Sequence, residues 1–388
     1  MSAAGIVGLA GCSGGDSGSE PTDNATDERT DEDDGGDEAA DAGVWLSKDG
    51  GARNSSSNTA MAGPASEPSV EGLYEPDGFD DLASVPIVED GVVYAVAGET
   101  LLAVSEEGDI EWEFELGDSA TVGATTPAVR DGTVFVPTYS SLVAVADGER
   151  QWAVNPGNGP DASPVTTAEA VYLSTGDAVY AYSHDGDERW AESTDESVGR
   201  PAVEGSTLYL LSSGFGTNVV TARETSDGSE RWSVERPVTD SVPVVADGTL
   251  YVAENASEGT AVVALSGDDG DVIWESDPVA GRVSGRPAVA DGVVYLSSTE
   301  EVHAFDAEDG SAVWDSPYVT TATMDDQVRA DSNSVYLHQS GSIVAVDPSD
   351  GEQRWSATFD DSSYGGFAGF SVAAGRVYVA GDELFELA

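Results

Sequence analysis

The chain has 388 residues, and its 73 Asp and Glu outnumber its 15 Lys and Arg, for a formal net charge of −58. Nucleic acid is excluded as a ligand, because no basic stripe is available to neutralise phosphates. In ~1 M salt the Debye length is only about 3 Å, so the repulsion between neighbouring carboxylates is largely screened. The composition therefore predicts an extreme halophile rather than an acidic surface made for one basic partner.

Residues 1–12 predict export. The apolar stretch 3–11 is far short of the ~20 residues that span a bilayer, and it matches the end of a secretory signal peptide. Leu9-Ala10-Gly11-Cys12 resembles the lipobox of secreted lipoproteins, which implies cleavage before Cys12 and lipidation of its thiol. The alternative is a chance Cys in a disordered terminus. No Lys or Arg precedes this stretch, so we expect the true start, with a basic region, to lie upstream.

Residues 13–42 predict a disordered acidic tether. They contain no aromatic residue and almost nothing to bury, and a self-repelling chain of this kind stays extended. Asn24, Asn54 and Asn255 each begin an N-glycosylation pattern, which has meaning only in an exported protein.

Residues 43–388 are built from a repeat of about 41 residues. Each of seven copies has a Gly four positions before a Trp, and successive tryptophans are 40, 38, 42, 42, 40 and 41 residues apart. This period is typical of propeller blades. The seven tryptophans are Trp112, Trp152, Trp190, Trp232, Trp274, Trp314 and Trp355.

A second phrase, such as "PAVADGVVYLS", occurs eight times and predicts two strands around a tight turn. With a third strand and the Trp strand it makes a four-stranded blade, so we predict an all-β, eight-bladed β-propeller of antiparallel blades. The eighth Trp, Trp45, precedes the first complete blade. We therefore expect the segment around Trp45 to complete the last blade and remove an open sheet edge, and residues 45–86 to cross one face of the ring.

The phrase Ala-x-Asp-x-x-[Thr/Asp]-Gly-x-x-x-Trp, complete at residues 304–314 and 345–355, resembles the repeat of the pyrroloquinoline quinone (PQQ)-like propeller family. That family includes quinone-dependent enzymes and non-enzymatic relatives, among them the propeller lipoprotein of the bacterial outer-membrane assembly machinery. The resemblance covers roughly residues 44–388, and it implies eight blades with each Trp docked on the neighbouring blade. The eight tryptophans are thus expected to be wedges between blades, not a carbohydrate platform or a cofactor stack.

One face of the ring should carry the variable loops, namely those between second and third strands and those between blades. The longest hairpins contain Phe215 and Asn255 and make our candidate partner patch; two surface insertions without a function are the alternative. Arg200 and Arg286, in "VGRPAV" and "SGRPAV", lie where a loop enters an inner strand. There they would meet an anionic ligand or balance local carboxylates such as Asp240 or Asp325.

No motif predicts catalysis. The resemblance implies that a quinone enzyme of this family would have a vicinal disulfide, a Ca²⁺ site and a catalytic Asp. This chain has a single Cys, which cannot form that disulfide. His184, His303 and His338 fall in separate blades without metal-ligand spacing, and the Asp-Gly turns lack the spacing of a calcium loop. We therefore predict no cofactor and no metal.

Together these features predict an exported monomer, lipid-anchored at the outer face of the cell membrane, that serves as a scaffold for other cell-envelope proteins. A degenerate quinoprotein dehydrogenase and a glycan-binding propeller are the alternatives.

Overall fold

The computed structural model describes residues 48–58, 62–76, 82–117, 126–160, 162–194, 197–213, 218–239, 242–280, 283, 286–298, 301–319, 328–339, 341–359 and 367–388. Secondary structure over these residues is all β-strand. The described part of the chain accordingly has no helix that is long and apolar enough to cross a membrane.

The strands form eight sheets, which are the blades of a propeller, and this confirms the predicted architecture. Two strands, β1 (Ser57–Asn58) and β2 (Val70–Tyr74), precede the first complete blade. Blades one to four are β3 (Ile87–Glu89), β4 (Val92–Ala97), β5 (Thr100–Ser105), β6 (Ile110–Glu115); β7 (Ala128–Arg130), β8 (Thr133–Pro137), β9 (Leu142–Ala146), β10 (Glu149–Val154); β11 (Val165–Thr166), β12 (Val171–Thr175), β13 (Ala178–Tyr182), β14 (Glu188–Ser193); and β15 (Ser197–Val198), β16 (Ala202–Glu204), β17 (Thr207–Ser213), β18 (Asn218–Glu224), β19 (Glu230–Arg236).

Blades five to eight follow the same order. They are β20 (Val244–Ala246), β21 (Thr249–Ala256), β22 (Gly259–Ser266), β23 (Val272–Glu275); β24 (Ala288–Ala290), β25 (Val293–Ser297), β26 (Glu301–Asp306), β27 (Tyr318–Val319); β28 (Arg329–Asp331), β29 (Val335–His338), β30 (Ser342–Val346), β31 (Gln353–Thr358); and β32 (Gly369–Ala373), β33 (Arg376–Ala380), β34 (Leu384–Leu387).

The first strand of each blade, or β16 in blade four, lies at the centre of the ring. Inner strands of neighbouring blades contact each other, as β24 does with β28 and β28 with β32, and β32 contacts β3 to close the circle. Second and third strands such as β22 are buried along almost their whole length because a neighbouring blade covers each face. The fourth strands, such as β6, alternate between exposed and half-buried residues because they form the rim.

Each repeat Trp packs on the turn of the next blade. The indole Nε1 of Trp274 donates a 2.9 Å hydrogen bond to the carbonyl of Ala307, and Gly310 lies against its ring. Gly310 has φ +74, and a Cβ added there would lie 2.5 Å from the ring. Glycine is therefore required both by the left-handed backbone and by the close approach of the indole. The same indole-to-carbonyl bond is made by Trp152, Trp190, Trp232, Trp314 and Trp355.

Gly310→Ala is expected to destabilise the fold more than Gly248→Ala. Both glycines have positive φ, +74 and +72, so each substitution carries the same backbone penalty of about 1–2 kcal/mol, but a Cβ at Gly248 meets nothing within 4 Å. Equilibrium urea unfolding of the two variants isolates the contact with the indole. Equal losses of stability would mean that glycine recurs at this position of the repeat only because of the backbone conformation.

The N-terminal part of the chain completes the last blade. Strand β2 pairs antiparallel with β34, with Val70 opposite Leu387, and Ser69 and Ala388 exchange backbone hydrogen bonds of 2.9 and 3.1 Å. The ring is thus sealed by pairing the two ends of the propeller, which removes an exposed edge.

The predicted position of this closing strand was wrong, because β2 begins 25 residues after Trp45 (70 − 45). Trp45 itself lies outside the described residues. The backbone of Leu73 takes the place that a Trp takes in other blades, since a Cβ added at Gly108 would lie 2.6 Å from the Leu73 carbonyl oxygen. Pro64 accepts the indole bond of Trp355 at 2.9 Å. Without a Trp, this segment has no mark of the repeat.

Candidate functional site: the central channel

Residues 48–58, here called the channel segment, lie against the inner strands rather than crossing a face of the ring as expected. Four of its carbonyls accept hydrogen bonds of 2.8–3.0 Å from inner-strand N–H groups of blades four to seven: Ala52 from Val203, Arg53 from Val245, Ser55 from Val289 and Ser56 from Ala330. Strand β1 then runs parallel to β28. The segment therefore connects half of the ring from within.

Asn54 shows why the segment can follow this path. Its φ of 56 is in the left-handed region, which Asn tolerates better than most residues. Its Nδ2 donates to the carbonyls of Pro201 (2.7 Å) and Pro243 (3.2 Å), and its Oδ1 accepts from Arg200. The side chain is fully buried, so the glycosylation pattern at Asn54 is not usable in this fold.

Asp49 organises a cluster of charges at the start of the channel segment. Its side chain is 1% exposed; Oδ1 lies 2.7 Å from Arg286 Nη2, and Oδ2 forms an ion pair with Arg200. Burial alone would raise the pKa of Asp49, but Arg200 and Arg286 outweigh it and hold the pKa below its ordinary value. Asp49 is therefore ionised at neutral pH.

Two further residues, Lys48 and Arg329, complete this group. We call it the channel cluster: Lys48, Asp49, Arg200, Arg286 and Arg329. Burial, together with Arg286 and Arg200, lowers the pKa of Lys48 to about 8 against the opposing effect of Asp49. Burial also lowers the pKa of Arg329, whose guanidinium lies 5.1 Å from the centre of the Phe370 ring. The channel cluster thus concentrates positive charge inside a protein of net charge −58.

The structure brings together the two arginines that the sequence singled out. Of the alternatives left open, they do balance a carboxylate, but it is Asp49; Asp240 and Asp325 lie outside the described residues. Sequence reasoning missed Lys48 and Arg329. Lys48 is the single lysine of the chain, and Arg329 occupies the inner-strand position that holds Ala202 and Ala288 in other blades, so both were detectable as exceptions.

The predicted partner patch is described only in part. Asn255 is exposed at the end of β21, and the adjacent Glu254 receives two hydrogen bonds from Arg236, of 2.5 and 2.9 Å, which tie the hairpin of blade five to β19 of blade four. Phe215 and Cys12 lie outside the described residues. Tyr139, 74% exposed, extends from the corresponding loop of blade two.

The three histidines serve local contacts. His184 stacks on Phe135, His303 bonds Glu301 at 3.1 Å, and His338 stacks on Phe367. Within the described ranges, no three His, Cys, Asp or Glu side chains are arranged so that they could hold a metal ion.

Lys48 gives the channel cluster a pH dependence with a definite sign. Its pKa of about 8 in the fold lies below its ordinary 10.5. Below pH 8 the amine is charged in both states and its burial destabilises the fold; between pH 8 and 10.5 the folded state alone loses the proton. Stability from this residue therefore rises with pH across that window, by up to about 3 kcal/mol. Urea unfolding at a series of pH values should show this rise in the free energy of unfolding for the wild type but not for Lys48→Met. The same pH dependence in both proteins would contradict the prediction.

An eight-bladed ring of four-stranded sheets, with the repeat Trp of one blade docked on the next, defines the PQQ-type class of β-propellers. Residues 140–241 and 216–386 match the model of the family described as outer membrane protein assembly factor BamB. The chain belongs to this family. No curated protein matches the sequence.

Solved structures show the same fold at low sequence identity. BamB from Moraxella catarrhalis is 16% identical with a TM-score of 0.63, over 83% of this chain and 99% of its own. Quinohemoprotein alcohol dehydrogenase from Comamonas testosteroni is 12% identical with a TM-score of 0.68, over 90% and 81%. A europium-containing methanol dehydrogenase is 11% identical with a TM-score of 0.68, over 89% and 91%.

Proposed function

We propose that this protein is an exported, lipid-anchored scaffold that binds other envelope proteins at the outer face of the cell membrane of a halophile, as a monomer and without catalysis. The observation that carries the proposal is that the channel segment covers the inner strands of blades four to seven. N–H groups of these strands donate to carbonyls of the channel segment, so on this half of the ring the loops and the rim remain as binding surface. Membership in a family named for an assembly factor supports protein partners.

The quinoprotein alternative fits this chain poorly. A quinone with Ca²⁺ needs oxygen ligands for the metal, whereas the described charges in the channel are mostly guanidinium and ammonium groups. The buried carboxylate of Asp49 is already engaged by Arg200 and Arg286, and the sole Cys, Cys12, cannot form a vicinal disulfide. These residues do not supply a site for that cofactor.

The face that carries Asn255 and Tyr139 is the proposed partner surface. Blade topology places the loops between second and third strands on one side of the ring, and loops on a rigid scaffold commonly bind partners. The Arg236–Glu254 pair, partly buried, holds the hairpin of blade five in place. An exposed Tyr offers apolar area together with a hydroxyl, which suits a protein interface.

Mild crosslinking in membranes at high salt tests the proposal. We expect defined envelope proteins to crosslink to the wild type and to be lost in a Tyr139→Ser/Asn255→Arg double variant. They should be retained in Glu308→Gln, an exposed change in a turn on the opposite face. Cys12→Ser should release the protein from the membrane fraction.

Two results would overturn this function. Dye-linked oxidation of alcohols or sugars after incubation with the quinone and Ca²⁺ in high salt would make the protein a dehydrogenase. Selective binding on a glycan array, with no protein crosslinks, would favour the glycan-binding alternative.

A further inference from the structure

We propose that the channel cluster binds a small anion of the halide type, which together with Asp49 holds the channel segment in the ring. The inference does not depend on the proposed scaffold function. It rests on charge balance, on donors without acceptors, and on access to the cluster.

Charge balance among the described residues calls for a second anion. Lys48, Arg200 and Arg286 carry three positive charges, and all three interact with the one negative charge of Asp49. Buried charges are costly unless they are paired, and one carboxylate cannot neutralise this group.

Arg200 supplies donors for that anion. Its side chain is 3% exposed, and its Nη2 is used by Asn54 and Asp49. Its Nε and Nη1 have no hydrogen-bond acceptor among the described residues. A guanidinium has five N–H donors in a rigid fork, so Arg200 can direct its Nε–H or its Nη1–H donors at an anion.

The ligand must be small and must reach the cluster from solvent. Arg200 and Arg286 bind the two oxygens of the same carboxylate, so little space separates their guanidinium groups. Arg286 keeps 15% of its side chain exposed and Lys48 is partly exposed, which provides a path for entry. A halide suits this geometry because it accepts hydrogen bonds from any direction.

Crystals of the protein soaked in bromide provide a direct test on the wild type. We expect an anomalous peak in contact with Arg200 Nε or Nη1. Absence of a peak there, or a position filled by water alone, would overturn the proposal.

A lysine-specific protease tests the effect of the anion on the channel segment in solution. Because Lys48 is the only lysine, the enzyme can cut the chain only after this residue, and docking of Asp49 protects the bond. At constant ionic strength, replacing chloride by methanesulfonate should speed cleavage by at least about fivefold. Equal rates in the two salts would overturn the proposal, and protection by acetate but not chloride would overturn the halide assignment.

Two matched variants separate a specific site from a general salt effect. Arg286→Gln should lose the chloride dependence of cleavage. Arg354→Gln, which removes an exposed ion pair with Asp347, should keep it. Equal chloride dependence in both variants would show that the anion does not act at the channel cluster.

Discussion

Asp49→Asn is expected to lower the free energy of unfolding by about 3–5 kcal/mol. The substitution leaves the size of the side chain almost unchanged and removes the one described carboxylate that faces Arg200 and Arg286. Arg200 then stays buried with an uncompensated charge, which is far more costly than the loss of a surface pair. Urea unfolding at neutral pH, followed by tryptophan fluorescence, measures the difference.

Glu224→Gln is the matched control for this experiment. It removes the carboxylate of a pair with Arg231 at 2.7 Å in which both side chains are about one-third exposed, and such pairs contribute roughly 0.2–1 kcal/mol. If Asp49→Asn lowers the free energy of unfolding as little as Glu224→Gln does, the contacts of Asp49 do not hold the channel segment in the ring.

Trp274→Ala is expected to cost about 3–5 kcal/mol through the cavity it leaves between blades five and six. Trp274 is 8% exposed, its ring centroid lies 5.9 Å from that of Tyr251, and its indole N–H donates to the carbonyl of Ala307. All of these contacts are lost together, so thermal and urea unfolding should both shift.

The neighbouring Ile273 provides the control on the same strand. It is 52% exposed, and Ile273→Ala should change stability by no more than about 0.5 kcal/mol. An unchanged melting temperature in Trp274→Ala would refute the packing role of the repeat Trp.

The part of the chain that precedes the first complete blade contacts more than half of the ring. Its residues pair successively with blades four to seven, Pro64 contacts Trp355 of blade seven, and β2 completes blade eight. One short stretch therefore links five of the eight blades. A change in the channel cluster should thus affect the stability of the whole ring rather than one blade.

Only the structure shows that a turn glycine packs against the Trp of the preceding blade, as Gly310 does against Trp274. The sequence alone determined the repeat and the number of blades. These features could be read because each is local: a Gly, a Trp four residues later and an Asp-Gly turn are set by short-range sterics that recur in every blade. Arg200 and Arg286 were also found, since the same phrase surrounds both.

Only the tertiary structure decided which segment closes the ring and what the two arginines contact. Asp49 meets Arg200 across 151 positions (200 − 49), and β2 meets β34 from the opposite end of the propeller. Such pairings depend on which distant surfaces the finished ring places together. Neither "VEGLY" nor Asp49 belongs to the periodic pattern, so the repeat does not mark them in advance; the single lysine beside Asp49 is the one local exception that could have pointed to this segment.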